Sequence, residues 1–119
     1  MANVLIVDDM RTDRELLGKV VSHAGHTPVY ATDGDEVAAR FAETSPALVF
    51  LDVVMPRVNG YAACRALKQS AASKSVPVVL VTSKSAESDR FWAQRQGADD
   101  VVGKPFTADA ILEVVQRYL

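Results

Sequence analysis

Apolar positions along the chain fall into two alternating kinds of stretch. Short runs rich in β-branched residues recur five times, at residues 4–7, 27–31, 47–51, 76–81 and 100–102. The first, third and fourth are apolar at successive positions, the pattern of strands covered on both faces, as in a parallel sheet flanked by helices. Elsewhere apolar residues return at helical spacing. Leu16, Leu17, Val20 and Val21 make one stripe, after a capping box read at Thr12 and Glu15. Val37, Ala38 and Phe41 make a second, with Asp33 placed as its cap ahead of Gly34. A third helix is expected from Asn59-Gly60, turning Tyr61, Cys64 and Leu67 inward. A fourth spans about residues 86 to 96 and ends at Gly97, a natural residue just past a helix end. Thr107 caps the last, whose inner face holds Ile111, Leu112 and Val115.

The order is therefore (βα)₅, an α/β chain without internal repeats or low-complexity linkers. Parallel strands joined by right-handed crossovers put helices on both faces of an open sheet. In such sheets function gathers at the carboxyl ends of the strands, near the point where strand order reverses.

Composition narrows the class. At 119 residues with 49% apolar content, the chain suits one domain with a real core. Its apolar runs are too short to span a bilayer, and no basic segment followed by an apolar one opens it as a secretory signal would. One cysteine, Cys64, excludes an internal disulfide and fits a reducing cytoplasm. A net charge of −2 offers no field that would draw nucleic acid or a membrane.

The candidate chemistry lies at the strand ends. The first strand runs into Asp8-Asp9, the third into Asp52, the fourth into Thr82-Ser83 and the fifth into Lys104-Pro105. Taken singly, each has an ordinary explanation: an Asp in a turn, a capping hydroxyl, a solvated lysine. Taken together they converge on one edge. Two like charges ~4 Å apart repel by roughly 4 kcal/mol at an effective dielectric of ~20, and three carboxylates make three such pairs. One lysine does not offset that, so a proton or a hard divalent cation is needed. Oxygen donors of this kind suit Mg²⁺, with Mn²⁺ as an alternative. Such a cation and Lys104 would neutralise a phosphoryl group moving to Asp52, with Thr82 donating to a phosphoryl oxygen.

Other residues point elsewhere or nowhere. His23 and His26 lie at the opposite end and are expected to be solvated, as are Arg90 and Arg95, while Cys64 belongs to the core. Phe91 and Trp92 are adjacent on a helix, about 100° apart, so one is expected to pack inward and the other to help form a partner surface. A dehalogenase-type phosphatase would want Asp-x-Asp after the first strand, and no glycine-rich phosphate loop is present, which argues against an enzyme acting on external substrates.

At these positions the chain resembles the CheY-like receiver domains of two-component response regulators. The motifs that carry the resemblance are Val4-Leu5-Ile6-Val7-Asp8-Asp9, Leu51-Asp52-Val53-Val54-Met55-Pro56 with Asn59-Gly60, Pro77-Val78-Val79-Leu80-Val81-Thr82, Gly97-Ala98 and Lys104-Pro105-Phe106. The resemblance covers essentially residues 1–119. It implies a flavodoxin-like fold with strand order 2-1-3-4-5, Asp52 as phosphoacceptor, and Mg²⁺ held by Asp8, Asp9, Asp52 and the backbone carbonyl of Val54. It also implies that Thr82 and Lys104 contact the phosphoryl group, with a cis peptide before Pro105. The implied donor is a histidine kinase or a small molecule such as acetyl phosphate, and the only catalysis is the domain's own phosphorylation and dephosphorylation. The stretch of residues 88–98 is similar to a narrower subgroup, the PilH-like single-domain regulators of chemotaxis-like systems for pili, twitching or phototaxis. That similarity implies a CheA-like kinase, a separate output protein and a monomer or weak dimer. One position departs from the family: Val101 stands where many members carry a switching Tyr or Phe. A receiver that signals through a changed surface around the fourth helix and fifth strand, a phosphate sink, and a binding module indifferent to phosphorylation all stay open on that ground. Val54 and Lys84 occupy positions that tune dephosphorylation, and apolar Val54 implies a slow rate.

Overall fold

The computed structural model describes the backbone of residues 1–83 and 87–119 and the side chains of residues 1–83 and 90–119. The elements are β1 (Asn3–Val7), α1 (Arg11–His23), β2 (Thr27–Ala31), a 3₁₀ turn (Gly34–Glu36), α2 (Val37–Thr44), β3 (Leu48–Asp52), α3 (Gly60–Gln69), β4 (Val78–Thr82), α4 (Glu87–Arg95), β5 (Asp100–Gly103) and α5 (Ala108–Tyr118). All four strand pairings are parallel, in the order β2-β1-β3-β4-β5. This is the flavodoxin-like arrangement expected from the sequence.

The runs of consecutive apolar residues have the reason inferred for them. Leu5, Val7, Val49, Leu51, Val78 and Leu80 pack with Val37, Cys64, Leu67 and Ala93, from α2, α3 and α4. Their neighbours Val4, Ile6, Leu48, Phe50, Val79 and Val81 pack on the other face with Leu17, Val21, Ile111 and Val115, from α1 and α5. Alternate residues of β1, β3 and β4 thus enter opposite cores, and all three strands are buried nearly throughout. The β2 strand is an edge, which lets it carry Pro28 without losing a central hydrogen bond. No helix among the described residues is long and apolar enough to cross a membrane.

Several local readings need correction. The residue capping α1 is Met10, not Thr12, because the Asp8 carboxylate accepts the Met10 N–H (2.9 Å) and starts the helix early. Glu15 pairs with Arg11 instead of closing a capping box. Leu16 faces outward and Leu112 is only half-buried, while Val114 joins the α5 core face. His26 accepts the Ala2 N–H at Nδ1 (3.1 Å), so it ties down the start of β1 instead of merely standing in solvent. Phe91 and Trp92 are both about half exposed, and the residue that packs inward is Ala93. Asn59 and Thr107 cap α3 and α5 as read, Gly97 takes the expected positive φ, and the Lys104–Pro105 peptide is cis. Burial pushes the Cys64 thiol up to about 11, in keeping with a core role.

Candidate functional site

Strand register delivers the charged residues to one edge. Asp52 and Thr82 are the last residues of β3 and β4, one position further along than the apolar pattern suggests, because Asp52 pairs with Val81 and Thr82 with Gly103. Asp8 extends the β1 ladder by one bond, its N–H donating to Ala31 O (3.2 Å). Lys104 is fixed at its backbone by donating to Thr82 O (2.7 Å). Asp8, Asp52 and Thr82 are buried, while Asp9 opens to solvent.

One carboxylate oxygen from each of Asp8, Asp9 and Asp52 lies within 4.8 Å of the others. Lys104 Nζ sits among them, donating to Asp8 Oδ2 (3.0 Å) and Asp13 Oδ2 (3.0 Å) and pairing with Asp52 Oδ1 at 3.3 Å. Burial, then the charge of Asp8, pushes the Asp52 carboxyl up to about 6 despite Lys104. Burial also raises Asp8, against the pull of the Met10 N–H and Lys104. Burial works against the Lys104 ammonium, but hydrogen bonds to Asp13 and Asp8 outweigh it and hold the group above its ordinary value. Crowded oxygens that resist ionising together are the donor set a hard divalent cation relieves, so the residues fit such an ion.

Two supports lie behind this edge. Gly60 N–H donates to Val53 O (2.9 Å), and a Cβ at Gly60 would come within 2.2 Å of Asp52 O, so only glycine lets α3 start this close to β3. Asp33, itself buried, accepts from the N–H groups of Arg57 (3.0 Å) and Val58 (2.8 Å) and so anchors the loop after β3. Burial would raise its carboxyl, but the backbone donors from Val58, Arg57, Asp35 and Gly34 together hold it below the ordinary value.

Of the residues singled out from sequence, Asp8, Asp9, Asp52 and Lys104 come together, and Thr82 ends the adjoining strand. Val54 lies in the following loop, 58% exposed. Val101 is half-buried in β5 and packs on the α3/α4-side core. Lys84 lies outside the described residues. Phe91 and Trp92 meet edge to face with ring centroids 6.5 Å apart, and the Arg95 guanidinium lies 5.4 Å from the Phe91 ring centre. Asp13 was missed. Its signal was its place four residues after Asp9, which puts it in the first turn of a helix that begins at the acidic edge.

Residues 4–116 match the response regulator receiver domain. The chain belongs to the receiver domain family. Protein PilH of Pseudomonas aeruginosa is 36% identical over 119 residues, covering 100% of this chain and 98% of that protein. Protein PilG of the same organism is 31% identical, over 98% of this chain and 86% of its own length. Among solved structures, chemotaxis response regulator CheY4 of Vibrio cholerae superposes with a TM-score of 0.93 at 28% identity, covering 100% of this chain and 99% of that one. Receiver domains are signalling modules rather than metabolic enzymes, and the (βα)₅ topology and acidic edge of this chain are those of a CheY-like member.

Proposed function

We propose that the protein is a phosphoacceptor response regulator, phosphorylated on Asp52 with Mg²⁺ held by Asp8, Asp9, Asp52 and the Val54 carbonyl. The observation that carries this reading is the meeting of Lys104 Nζ with the Asp8 and Asp52 carboxylates beside Asp9. With its carboxyl at about 6, Asp52 is mostly ionised at neutral pH and can act as a nucleophile. A carboxylate oxygen attacks phosphorus, the bond from phosphorus to the donor breaks, and an acyl phosphate forms. The cation, when bound, would supply charge neutralisation for the phosphoryl oxygens. Lys104 is already aimed at Asp52 and neutralises the remainder, while Thr82, ending the adjacent strand, offers its hydroxyl. Solvent-open Asp9 keeps the edge accessible to a donor.

The donor is proposed to be a histidine kinase of CheA-like type, in the cytoplasm, within a chemotaxis-like motility system; the similarity to PilH and PilG supports this placement. The domain as a whole, residues 1–119, acts as the switch. Val101 favours a second reading, a phosphate sink, because a half-buried valine has no ring to swing between core and solvent.

Incubation with acetyl phosphate and Mg²⁺ followed by intact mass tests the first claim. One phosphoryl adduct is expected, absent in Asp52→Asn and strongly reduced in EDTA; an unmodified wild type would refute it. Partner affinity with and without a phosphoryl mimic separates switch from sink.

A further inference from the structure

We propose that Asp13 is a positioning residue that retains Lys104 until a phosphoryl oxygen replaces it, an inference that rests on the function proposed above. Asp13 lies outside the three crowded carboxylates, yet its bond to Lys104 Nζ (3.0 Å) matches that of Asp8 (3.0 Å) and is shorter than the approach to Asp52 (3.3 Å). An ammonium carries three N–H donors. Two of them go to Asp8 and Asp13, while Asp52 faces the ammonium at 3.3 Å as an ion pair, so a phosphoryl oxygen on Asp52 competes with Asp13 for the lysine.

Asp13 is the partner whose release costs least. The Asp8 side chain is almost wholly buried, and its other oxygen already accepts the Met10 N–H. Asp52 is itself the residue that carries the phosphoryl group. The Asp13 side chain is 29% exposed, so water can solvate its carboxylate once the lysine leaves. Asp13 therefore sets the cost of recruiting Lys104, and removing it makes the lysine easier to recruit. A simpler role, an acidic residue favouring the first turn of α1, predicts lost stability with no dependence on Lys104.

The test measures beryllofluoride affinity in Mg²⁺ by titration calorimetry. The proteins are wild type, Asp13→Asn and Asp13→Glu, each with Lys104 intact and with Lys104→Gln. Asp13→Asn is expected to bind roughly three- to fivefold tighter, the size of a partly exposed ion pair. Asp13→Glu should return to near wild type, and in Lys104→Gln the Asp13→Asn gain should fall below about twofold. Should Asp13→Asn fail to fold by thermal melting, Asp13→Ser makes the same comparison. Unchanged or weaker binding by Asp13→Asn overturns the inference, as does a gain that persists undiminished in Lys104→Gln. Wild type that binds no beryllofluoride overturns the proposed function itself.

Discussion

Asp52 is where burial, like charge and chemistry meet in one side chain. Its carboxyl is raised from 3.8 to about 6, so the folded, metal-free protein binds a proton there more readily than the unfolded chain does. Stability in EDTA should therefore fall as pH rises from about 4 to about 6, and stay lower above that. Asp52→Asn removes the repulsion. Denaturant unfolding in EDTA should find it more stable than wild type at pH 7.5, by on the order of 1–3 kcal/mol, with the gap closing toward pH 4. A gap constant with pH would show that charge is not its cause. Gly60 is the other decisive residue. Because an added Cβ would overlap Asp52 O, Gly60→Ala should cost about 1–3 kcal/mol in urea unfolding and slow acetyl phosphate labelling. Neither Gly60 nor Asp13 could be assigned its contact from sequence. Asp8, Asp9, Asp52 and Lys104 were legible because each follows an apolar strand, whereas Asp13 meets a residue 91 positions away and Gly60 owes its role to how closely α3 approaches the end of β3.

The loop after β3 is held by a side chain from the far side of β1. The sequence marks Asp33 as a cap, and it does cap the 3₁₀ turn before α2, but its two oxygens also accept the Arg57 and Val58 N–H groups. Only the local half of that role has a sequence signature. Its folded pKa is lowered, so its contribution to stability is present above about pH 4 and disappears as pH falls through the lower, folded value. Asn offers one acceptor oxygen and points an NH₂ at the second donor. Asp33→Asn should therefore cost about 1–3 kcal/mol at pH 7, and the difference should vanish in acid, as followed by circular dichroism. The helices show the same division. Apolar stripes located four of them and Gly97 marked the end of α4, but the Asp8–Met10 bond moved the start of α1, and the facing of Phe91 and Trp92 depended on which α4 residue the sheet accepted.

At the scale of the molecule, the parallel sheet concentrates like charge at one edge and leaves both cores apolar. On the proposed function, that concentration would make a bound cation a folding ligand as well as a functional one. Mg²⁺ at a hundredfold excess over its Kd should stabilise wild type by about 2.7 kcal/mol, seen as a higher Tm than in EDTA. Asp9→Asn should lose much of that increment while melting close to wild type in EDTA, since Asp9 is exposed. Equal Tm values in Mg²⁺ and EDTA would remove the metal from the reading. Topology at this scale was legible because the central strands are hydrophobic on both faces and alternate with helical stretches, the pattern of a parallel sheet covered by helices.

Trp92 is the chain's single tryptophan, and it sits half exposed on α4 beside the equally exposed Phe91, while Ala93 enters the core. The protein thus carries one indole, the fluorophore excited selectively at long wavelength, in contact with water. A partner that covers α4 would shift its emission to shorter wavelength and shield it from iodide, whereas a partner docking elsewhere would leave the spectrum alone. Recorded with and without the phosphoryl mimic, that one signal reports whether the state of Asp52 reaches the α4 surface at all.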